Sequence, residues 1–199
     1  MFMSEMIMVT DAGWLNAAFG TDASHIIEIN ERDFIDSIEA NHKFIERDLA
    51  ETDDKYKQIV SYCLISHGDE FFITQRTTKQ TEKRLHNRYS FGVGGHISFV
   101  DAKNSNVVVT GMLRELFEEV DIRCPYRYDF IGIINNNSSE VNTVHTGACF
   151  LVTLDEKACF VKETEKMHGF WIHKSDIGRY MDGLEGWSKI LISARCAEA

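Results

Sequence analysis

The most informative part of the chain is RYSFGVGGHISFVDAKNSNVVVTGMLRELFEEVDI, residues 88–122. It opens with aromatic and β-branched residues that are typical of a strand. Gly92, Gly94 and Gly95 then cluster where the backbone must bend or approach another group closely. The stretch ends in a charged amphipathic segment. The whole stretch therefore predicts a strand, then a glycine-rich turn, and then a helix at about residues 105–120.

The predicted helix has two different faces. Its apolar residues follow the spacing of a buried stripe: Val109, Met112, Leu113, Leu116, Phe117 and Val120. Glu115, Glu118 and Glu119 stand at i, i+3 and i+4, which places three mutually repelling carboxylates together on the other side. A divalent cation would turn that repulsion into coordination, because Mg²⁺ prefers carboxylate oxygens. Arg114, four residues before Glu118, can orient its carboxylate. From the helix alone, a solvated acidic face is an equally good interpretation.

The segment from Gly95 to Ile122 resembles a Nudix box, whose pattern is G-x5-E-x7-R-E-U-x-E-E-x-G-U with U apolar. Gly95 followed by five residues and Asp101 matches the first half, with Asp in place of Glu. The second half is matched by Arg114, Glu115, Leu116, Glu118, Glu119 and Ile122. The segments DKYKQIVSY, FFITQR and LEGWSKIL extend the resemblance to bacterial Nudix proteins over roughly residues 50–195.

The box departs from the family pattern in two places. Residues 102–113 form a spacer of twelve residues where the family has seven. Asp101 is therefore expected either to reach the metal, directly or through water, or to support Arg114. Asp121 stands where the family has glycine, at a helix end where glycine suits a left-handed turn that Asp tolerates less well.

The resemblance implies a hydrolase that cleaves a diphosphate linkage in a nucleoside diphosphate derivative. It implies Mg²⁺ (or Mn²⁺) held by Glu115, Glu118 and Glu119, with Asp101 as a further candidate ligand. Such an ion neutralises the diphosphate and lowers the pKa of a bound water. A further carboxylate would take that proton, and Glu140 and Glu165 are the candidates, although an ordinary surface role suits either.

Several other residues are candidates for contacts with the substrate. Arg76, Arg84 and Arg88 could clamp phosphate oxygens, or be solvated surface arginines, and we favour Arg76. Gly94, Gly95 and His96 are expected to line the substrate pocket. Trp171 and Trp187 could stack on a nucleobase, but core packing suits them better. His168, His173 and Cys159 lack the spacing of a zinc site.

Composition limits the function classes. The 199 residues include 31 acidic and 21 basic residues, for a formal net charge of −10. Binding of nucleic acid normally needs a basic face, so we expect a small-molecule nucleotide partner. The five cysteines form no C-x-x-C pair, which favours reduced thiols in a cytoplasmic protein. Neither a signal peptide nor a membrane span is predicted.

Strands and helices are mixed along the chain but do not alternate regularly. This predicts an α/β fold in which a mixed β-sheet lies between helices, as in the Nudix α/β/α sandwich. We expect an N-terminal segment, residues 1–55, packed on or preceding a Nudix domain of residues 56–199. Residues 31–50 predict an amphipathic helix capped by Asn30, with Phe34, Ile35, Ile38, His42, Ile45 and Leu49 on one face. The motif HGD at residues 67–69 predicts a hairpin.

Three alternatives stay open at the sequence level. The chain could be a non-hydrolytic Nudix-like sensor that binds a nucleotide, although a pure binder has no need of a clustered metal site. It could isomerise a diphosphate ester, because the box supplies metal binding and not a particular bond cleavage. Residues 1–50 could form a separate protein-interaction arm, or a dimerisation arm, in which case the protein would be a homodimer.

Overall fold

The computed structural model describes residues 4–77, 87–103 and 106–196 of the chain. Within these residues, one sheet of nine strands forms the centre of the molecule. The strands of this sheet are β1 (Met6–Asp11), β2 (His42–Glu46), β3 (Tyr56–His67), β4 (Glu70–Arg76), β5 (Tyr89–Ser90), β6 (Gly92–Val93), β8 (Tyr126–Ile134), β9 (His145–Leu154) and β11 (Met167–His173). A separate two-stranded sheet pairs β7 (Val120–Ile122) with β10 (Cys159–Val161).

The long strand β3 organises the sheet. It pairs antiparallel with β1, β4 and β6 and parallel with β9. The sheet is therefore mixed, which confirms the predicted fold class. The hairpin at residues 67–69 is also confirmed, because His67 faces Glu70 across a tight turn at Gly68, whose φ of 55° suits glycine.

Helices cover both faces of the sheet. They are α1 (Ala12–Phe19), α2 (Glu31–Asn41), α3 (Arg47–Ala50), α4 (Val107–Glu119), α5 (Glu140–Val144) and α6 (Gly186–Cys196). Side chains of β3 alternate between the faces: Ile59, Cys63 and Ile65 pack in the same cluster as Val108, Met112 and Leu116 of α4. Tyr62 and Leu64 pack instead with Ile190, Leu191 and Ile192 of α6. The result is the predicted three-layer α/β/α arrangement, with α4 and α6 on opposite sides.

The N-terminal segment adds strands to this sheet. Its helix α2 begins as predicted, since the Asn30 side chain accepts hydrogen bonds from the amides of Arg32 and Asp33. The prediction that the helix continues to residue 50 is wrong, because it ends at Asn41. Residues 42–46 instead form β2, whose pairing with β1 satisfies their backbone groups and overrides the helical periodicity. Leu49, expected on a buried face, is 59% exposed.

A buried lysine fixes the loop that joins β8 to β9. The Lys57 side chain is fully buried, and its ammonium donates to the Asn136 carbonyl oxygen and the Asn137 side-chain oxygen, each at 2.9 Å. The carbonyl oxygens of Asn142 and His145 also lie within its reach. Burial lowers the pKa of Lys57 to about 8. These contacts set the position of α5 and of His145, the first residue of β9.

No helix among the described residues is both long enough and apolar enough to cross a membrane.

The packing of α4 predicts a large difference between two leucine-to-alanine substitutions. Leu116 is completely buried in the core whereas Leu49 lies on the surface. Leu116→Ala should lower the free energy of unfolding by about 2–5 kcal/mol, because it removes transfer free energy and leaves a cavity. Leu49→Ala is the matched control and should change it by less than about 0.5 kcal/mol. Urea unfolding of both variants measures the difference, and equal effects would contradict the assignment of α4 to the core.

Candidate active site

Two consecutive glycines of the loop after β6 lie against the carboxylate face of α4. The backbone N–H of Gly94 lies close enough to the carboxylate of Glu119 to favour its ionised form. A Cβ atom at Gly95 would lie only 2.3 Å from Oε2 of Glu115, so the absence of a side chain there lets that carboxylate lie against the backbone. The backbone of Gly94, with a φ of 149° and the Ser61 carbonyl where a Cβ would be, also needs glycine.

Arg114 joins this loop to the helix. Its Nη1 donates to Glu115 at 2.7 Å and to Glu118 at 3.3 Å. Its Nη2 donates to the His96 carbonyl oxygen at 2.9 Å. Nε and Nη2 donate to the two carboxylate oxygens of Asp101, at 2.8 and 2.9 Å. A guanidinium has five N–H groups, so all of them have acceptors, and Arg114 orients carboxylates here and has no donor left for a substrate.

Asp101 is held by Arg114 in spite of the long spacer. Residues 99–103 form a turn of 3-10 helix that returns the chain to α4, and Asn106 caps the helix by accepting from the Val109 amide. The Asp101 side chain is 2% exposed, and Oδ2 also accepts from the Ser98 amide at 2.8 Å. Both of its oxygens are therefore engaged, which favours support of Arg114 over direct contact with a metal. These hydrogen bonds raise the pKa of Arg114 above its ordinary value.

The three glutamates of α4 differ in their exposure to solvent. Glu118 is 58% exposed and Glu115 is 15% exposed. Burial raises the pKa of Glu115. The charge of Glu118 acts in the same direction, whereas Arg114 acts against it. Burial also raises the pKa of Glu119 to about 7, although Arg76 and the Gly94 N–H act in the opposite direction. A divalent cation would relieve this clustering of acids, and the oxygen ligands are of the type that Mg²⁺ and Mn²⁺ take.

The fold has a counterpart among solved structures. Tm1382, provisionally assigned as a Nudix hydrolase, superposes with a TM-score of 0.85 at 32% identity, over 98% of this chain and 100% of its own. The chain belongs to the Nudix hydrolase superfamily. The resemblance seen in the sequence is thereby confirmed. This membership supports, in general terms, a hydrolase that cleaves a pyrophosphate linkage.

Two other similar proteins differ in how closely they match this chain. Protein YmaB of Bacillus subtilis (strain 168) is 33% identical over 162 residues, which are 78% of this Nudix chain and 79% of that protein. The Nudix domain of Shewanella oneidensis NrtR, solved with ADP ribose, has a TM-score of 0.55 at 16% identity, over 71% of this chain and 88% of its own. Identity this low shows the fold alone. No protein-family model matches the chain.

Asp121, the second departure from the Nudix box, does not take the left-handed conformation that was expected to destabilise it. Val120 follows α4 in an extended conformation, with φ of −127° and ψ of 154°. Asp121 then belongs to β7 and accepts a hydrogen bond from Arg123 at 2.7 Å. The chain therefore leaves the Nudix helix without a left-handed residue, so the prediction of a strained Asp121 is wrong.

The predicted arginines have different surroundings. Nε of Arg76, at the end of β4, donates to Glu185 at 2.7 Å, and its positive charge acts on Glu119. Arg76 thus lies beside the carboxylate cluster of the Nudix helix. Arg88 donates to the Asp182 carbonyl oxygen at 3.1 Å. Arg84 lies outside the described residues.

The two predicted proton acceptors are placed differently. Glu140 is exposed at the start of α5, and among the described residues no hydrogen bond or ion pair joins it to the Nudix helix. Glu165 belongs to the segment that precedes β11, where the Lys162 amide donates to the Glu119 carbonyl oxygen at 2.9 Å. In the same segment, Glu163 helps to raise the pKa of Glu119. Nothing in the sequence singles out Glu163, because it stands in an ordinary charged run.

His96 and the two tryptophans complete the predicted set. The His96 carbonyl oxygen takes part in the Arg114 network, but its imidazole hydrogen-bonds to Gln58 at 2.9 Å. Trp187 contacts Tyr62 edge-on and donates to Asn142 at 2.9 Å. Trp171 contacts Phe72 edge-on. The structure thus gives both tryptophans packing partners.

The contact between Gly95 and Glu115 predicts the effect of a single methyl group. Gly95→Ala should displace the Glu115 carboxylate, because Arg114 already holds its other oxygen and limits its retreat. Mg²⁺ affinity, measured by isothermal titration calorimetry, should weaken by about 10–100-fold, as for groups that orient metal ligands. Gly178→Ala is the control, since a Cβ there meets nothing within 4 Å. Unchanged affinity in Gly95→Ala would exclude Glu115 as a ligand.

Burial of Glu119 predicts a pH dependence of stability in metal-free protein. Its pKa rises from 4.5 in the unfolded chain to about 7 in the folded one, so the folded state keeps the proton over that interval. This group therefore stabilises the fold below about pH 4.5, and the stabilisation is lost as pH rises through about 7. Glu119→Gln removes this pH-dependent loss of stability, because a glutamine side chain does not ionise. In excess EDTA, the variant should gain stability relative to the natural chain between about pH 5 and pH 8.

Thermal melts at both pH values measure this gain, with Glu118→Gln as the solvent-exposed control. A constant difference between Glu119→Gln and the natural chain across the interval would contradict the burial of the Glu119 carboxylate.

Proposed function

We propose that the protein is a Mg²⁺- or Mn²⁺-dependent hydrolase that cleaves the diphosphate linkage of a nucleoside diphosphate derivative. The observation that carries the proposal is the contact of the glycine loop with the carboxylates of α4: Gly94 with Glu119 and Gly95 with Glu115. Membership of the Nudix superfamily supports it. A manganese ion and AMP are bound in the bifunctional NMN adenylyltransferase/ADP ribose pyrophosphatase of Francisella tularensis, which has a TM-score of 0.54 at 16% identity.

The donor set fits a hard divalent cation. Glu115, Glu118 and Glu119 would hold it, because each offers carboxylate oxygens on one face of the helix. The Glu115 carboxylate occupies the space beside the backbone of Gly95, and a Cβ atom at Gly95 would block this space. When bound, the ion supplies neutralisation of the diphosphate charge and lowers the pKa of a coordinated water.

The residues of the chain would divide the remaining work. Arg114, oriented by Asp101, fixes the carboxylates of Glu115 and Glu118, and we assign Asp101 this positioning role in place of metal binding. Glu119 must be ionised to bind a cation, so its raised pKa makes cation binding at the site tighter as pH rises towards and above 7. Arg76, beside Glu119, would face phosphate oxygens of the substrate.

The proton acceptor belongs, in this proposal, to residues 162–165 and not to α5. The Lys162 amide is bonded to the end of the Nudix helix, and the charge of Glu163 acts on Glu119. Glu163 or Glu165 would therefore reach a water near Glu119. No comparable contact among the described residues supports Glu140.

We further propose that residues 1–55 belong to the catalytic unit as an extension of its sheet. Val9 pairs with Gln58 of β3, Ile7 bridges to Ser98, and the Met8 amide donates to the Ile97 carbonyl oxygen at 2.7 Å. This backbone pairing supports an integral layer beside the Nudix loop in preference to a separate dimerisation arm.

The proposal predicts chelator-sensitive turnover. A panel of ADP-ribose, dinucleoside polyphosphates, nucleoside triphosphates and sugar nucleotides is incubated with protein and Mg²⁺, and products are resolved by chromatography. At least one compound should be cleaved at its diphosphate, and EDTA should abolish cleavage. Glu118→Gln and Glu119→Gln should each lower kcat by at least about tenfold, because each removes an anionic ligand. Glu31→Gln, on the surface of α2, is the matched control.

Each alternative has its own result. Undiminished turnover in excess EDTA would overturn the metal dependence. Micromolar binding of one nucleotide without turnover of any compound would support a sensor. A product of unchanged mass would indicate an isomerase.

A further inference from the structure

A second group of metal-binding side chains lies outside the carboxylate site of α4. Glu51, His96 and His145 bring one ligand atom each within 4.8 Å of the others. They come from three separate parts of the chain: the end of α3, the residue after the glycine pair, and the start of β9. The cluster thus arises only in the folded protein.

The spacing of the two imidazoles fits a tetrahedral ion. Nε2 of His96 and Nε2 of His145 are 3.3 Å apart. Two nitrogens that each lie about 2.0–2.1 Å from a tetrahedral Zn²⁺ are separated by about 3.3–3.4 Å. The rings therefore already have the separation that a zinc site needs. Glu51 is exposed, so its carboxylate can rotate to complete a two-histidine, one-glutamate set.

His145 already has the tautomer that binds a metal through Nε2. Nδ1 of His145 lies 2.7 Å from the Val141 carbonyl oxygen. A carbonyl only accepts, so Nδ1 carries the proton, and in the neutral ring Nε2 keeps its lone pair. Burial lowers the pKa of both imidazoles, that of His96 to about 3 with help from Arg47. Both rings are therefore neutral near pH 7, as ligands must be. Nε2 of His96 faces Oε1 of Gln58, which only accepts, so this nitrogen carries the proton in the metal-free protein. A metal would bind the other neutral tautomer of His96, with the proton on Nδ1.

Gln58 supplies an independent observation. Its side chain is completely buried, and its Oε1 lies 2.9 Å from Nε2 of His96. Its amide nitrogen has no hydrogen-bond partner in the described part of the chain. A buried amide N–H₂ without an acceptor is costly. Hydroxide bound to a metal at this cluster would supply the acceptor, because zinc lowers the pKa of its bound water to about 7.

The cluster is on the opposite side of the loop from the Nudix carboxylates. The missing side chain of Gly95 faces Glu115, and Ile97 is packed in the core cluster that includes α4. In an extended chain the intervening residue points to the other face, which directs the His96 imidazole away from α4. The ligand chemistry differs as well, since imidazoles favour zinc whereas a site of carboxylates alone favours magnesium.

We propose that Glu51, His96 and His145 form a transition-metal site that takes Zn²⁺, with water in the fourth position. The ion would fasten the N-terminal segment, through Glu51, to β9 and to the loop that carries Gly94 and Gly95. Arg47 lies 3.5 Å from the Glu51 carboxylate and competes for it. The glutamate is thus the weakest of the three ligands.

The test titrates chelator-stripped full-length protein with Co²⁺, followed by its visible absorption, and then displaces Co²⁺ with Zn²⁺. In excess Mg²⁺, which occupies the carboxylates of α4, the natural chain should bind one equivalent of Co²⁺ with a tetrahedral spectrum. His145→Gln should weaken binding by at least about 100-fold and Glu51→Gln by about tenfold, in the order of their contributions. Zn²⁺ should raise the Tm of the natural chain and not that of His145→Gln.

Two controls separate this site from other binding. His168→Gln removes an exposed histidine of β11, and Glu118→Gln removes a carboxylate of the Nudix helix. Both should keep the Co²⁺ spectrum and affinity within about twofold, because neither touches the cluster. Equal affinity in the natural chain, His145→Gln and Glu51→Gln would overturn the proposal. Loss of binding in Glu118→Gln alone would also overturn it and would place the ion on α4. Should His145→Gln fail to fold, Glu51→Gln decides the outcome.

Discussion

The guanidinium of Arg114 connects the parts of the molecule that must meet for the site to exist. It binds a buried aspartate, a loop carbonyl and two carboxylates of its own helix, in a planar geometry that a lysine could not reproduce. Asp101 without this partner would be a buried charge, at a cost of several kcal/mol. The pair therefore fixes the lengthened spacer, the glycine loop and the direction of Glu115 at the same time.

The clustering of acidic side chains on α4 has an electrostatic cost. Three glutamates share one helix face, and burial opposes the ionisation of Glu119 and Glu115. The opposite face of α4 supplies the compensating stability, since Val108, Met112 and Leu116 are fully buried at roughly 1.5–3 kcal/mol for each large side chain. The helix can hold a destabilising cluster because its other side anchors it to the sheet.

The loop after β6 borders a different group of side chains on each of its two sides. Gly94 and Gly95 lie against α4 because they lack side chains, while the imidazole between Gly95 and Ile97 points to the N-terminal segment. The same short stretch thus borders the carboxylate site and the histidine cluster. Strands β1 and β2 make this possible. Strand β1 pairs with β3 and with residues 97–98, and β2, paired with β1, leads to Arg47 and Glu51 on the second side.

The sequence by itself determined the elements whose signals are local. The two faces of α4 follow from a 3.6-residue period, the hairpin at residues 67–69 from turn chemistry, and the glutamate cluster from its i, i+3, i+4 spacing. The Asn30 cap was likewise readable, because a helix start depends on a few neighbouring residues. The family followed from the box in spite of its longer spacer, because the helix half of the pattern is intact.

The tertiary structure alone decided the features that join distant residues. Residues 42–46 carry a helical pattern, yet strand pairing with β1 offers their backbone a better set of partners. Glu185 meets Arg76 across 109 residues, and His145 meets His96 across 49, from stretches that look ordinary on their own. Whether Asp101 faces a metal or an arginine also depended on the path of the spacer. Such contacts are set by sheet register and packing, which no local period or spacing encodes.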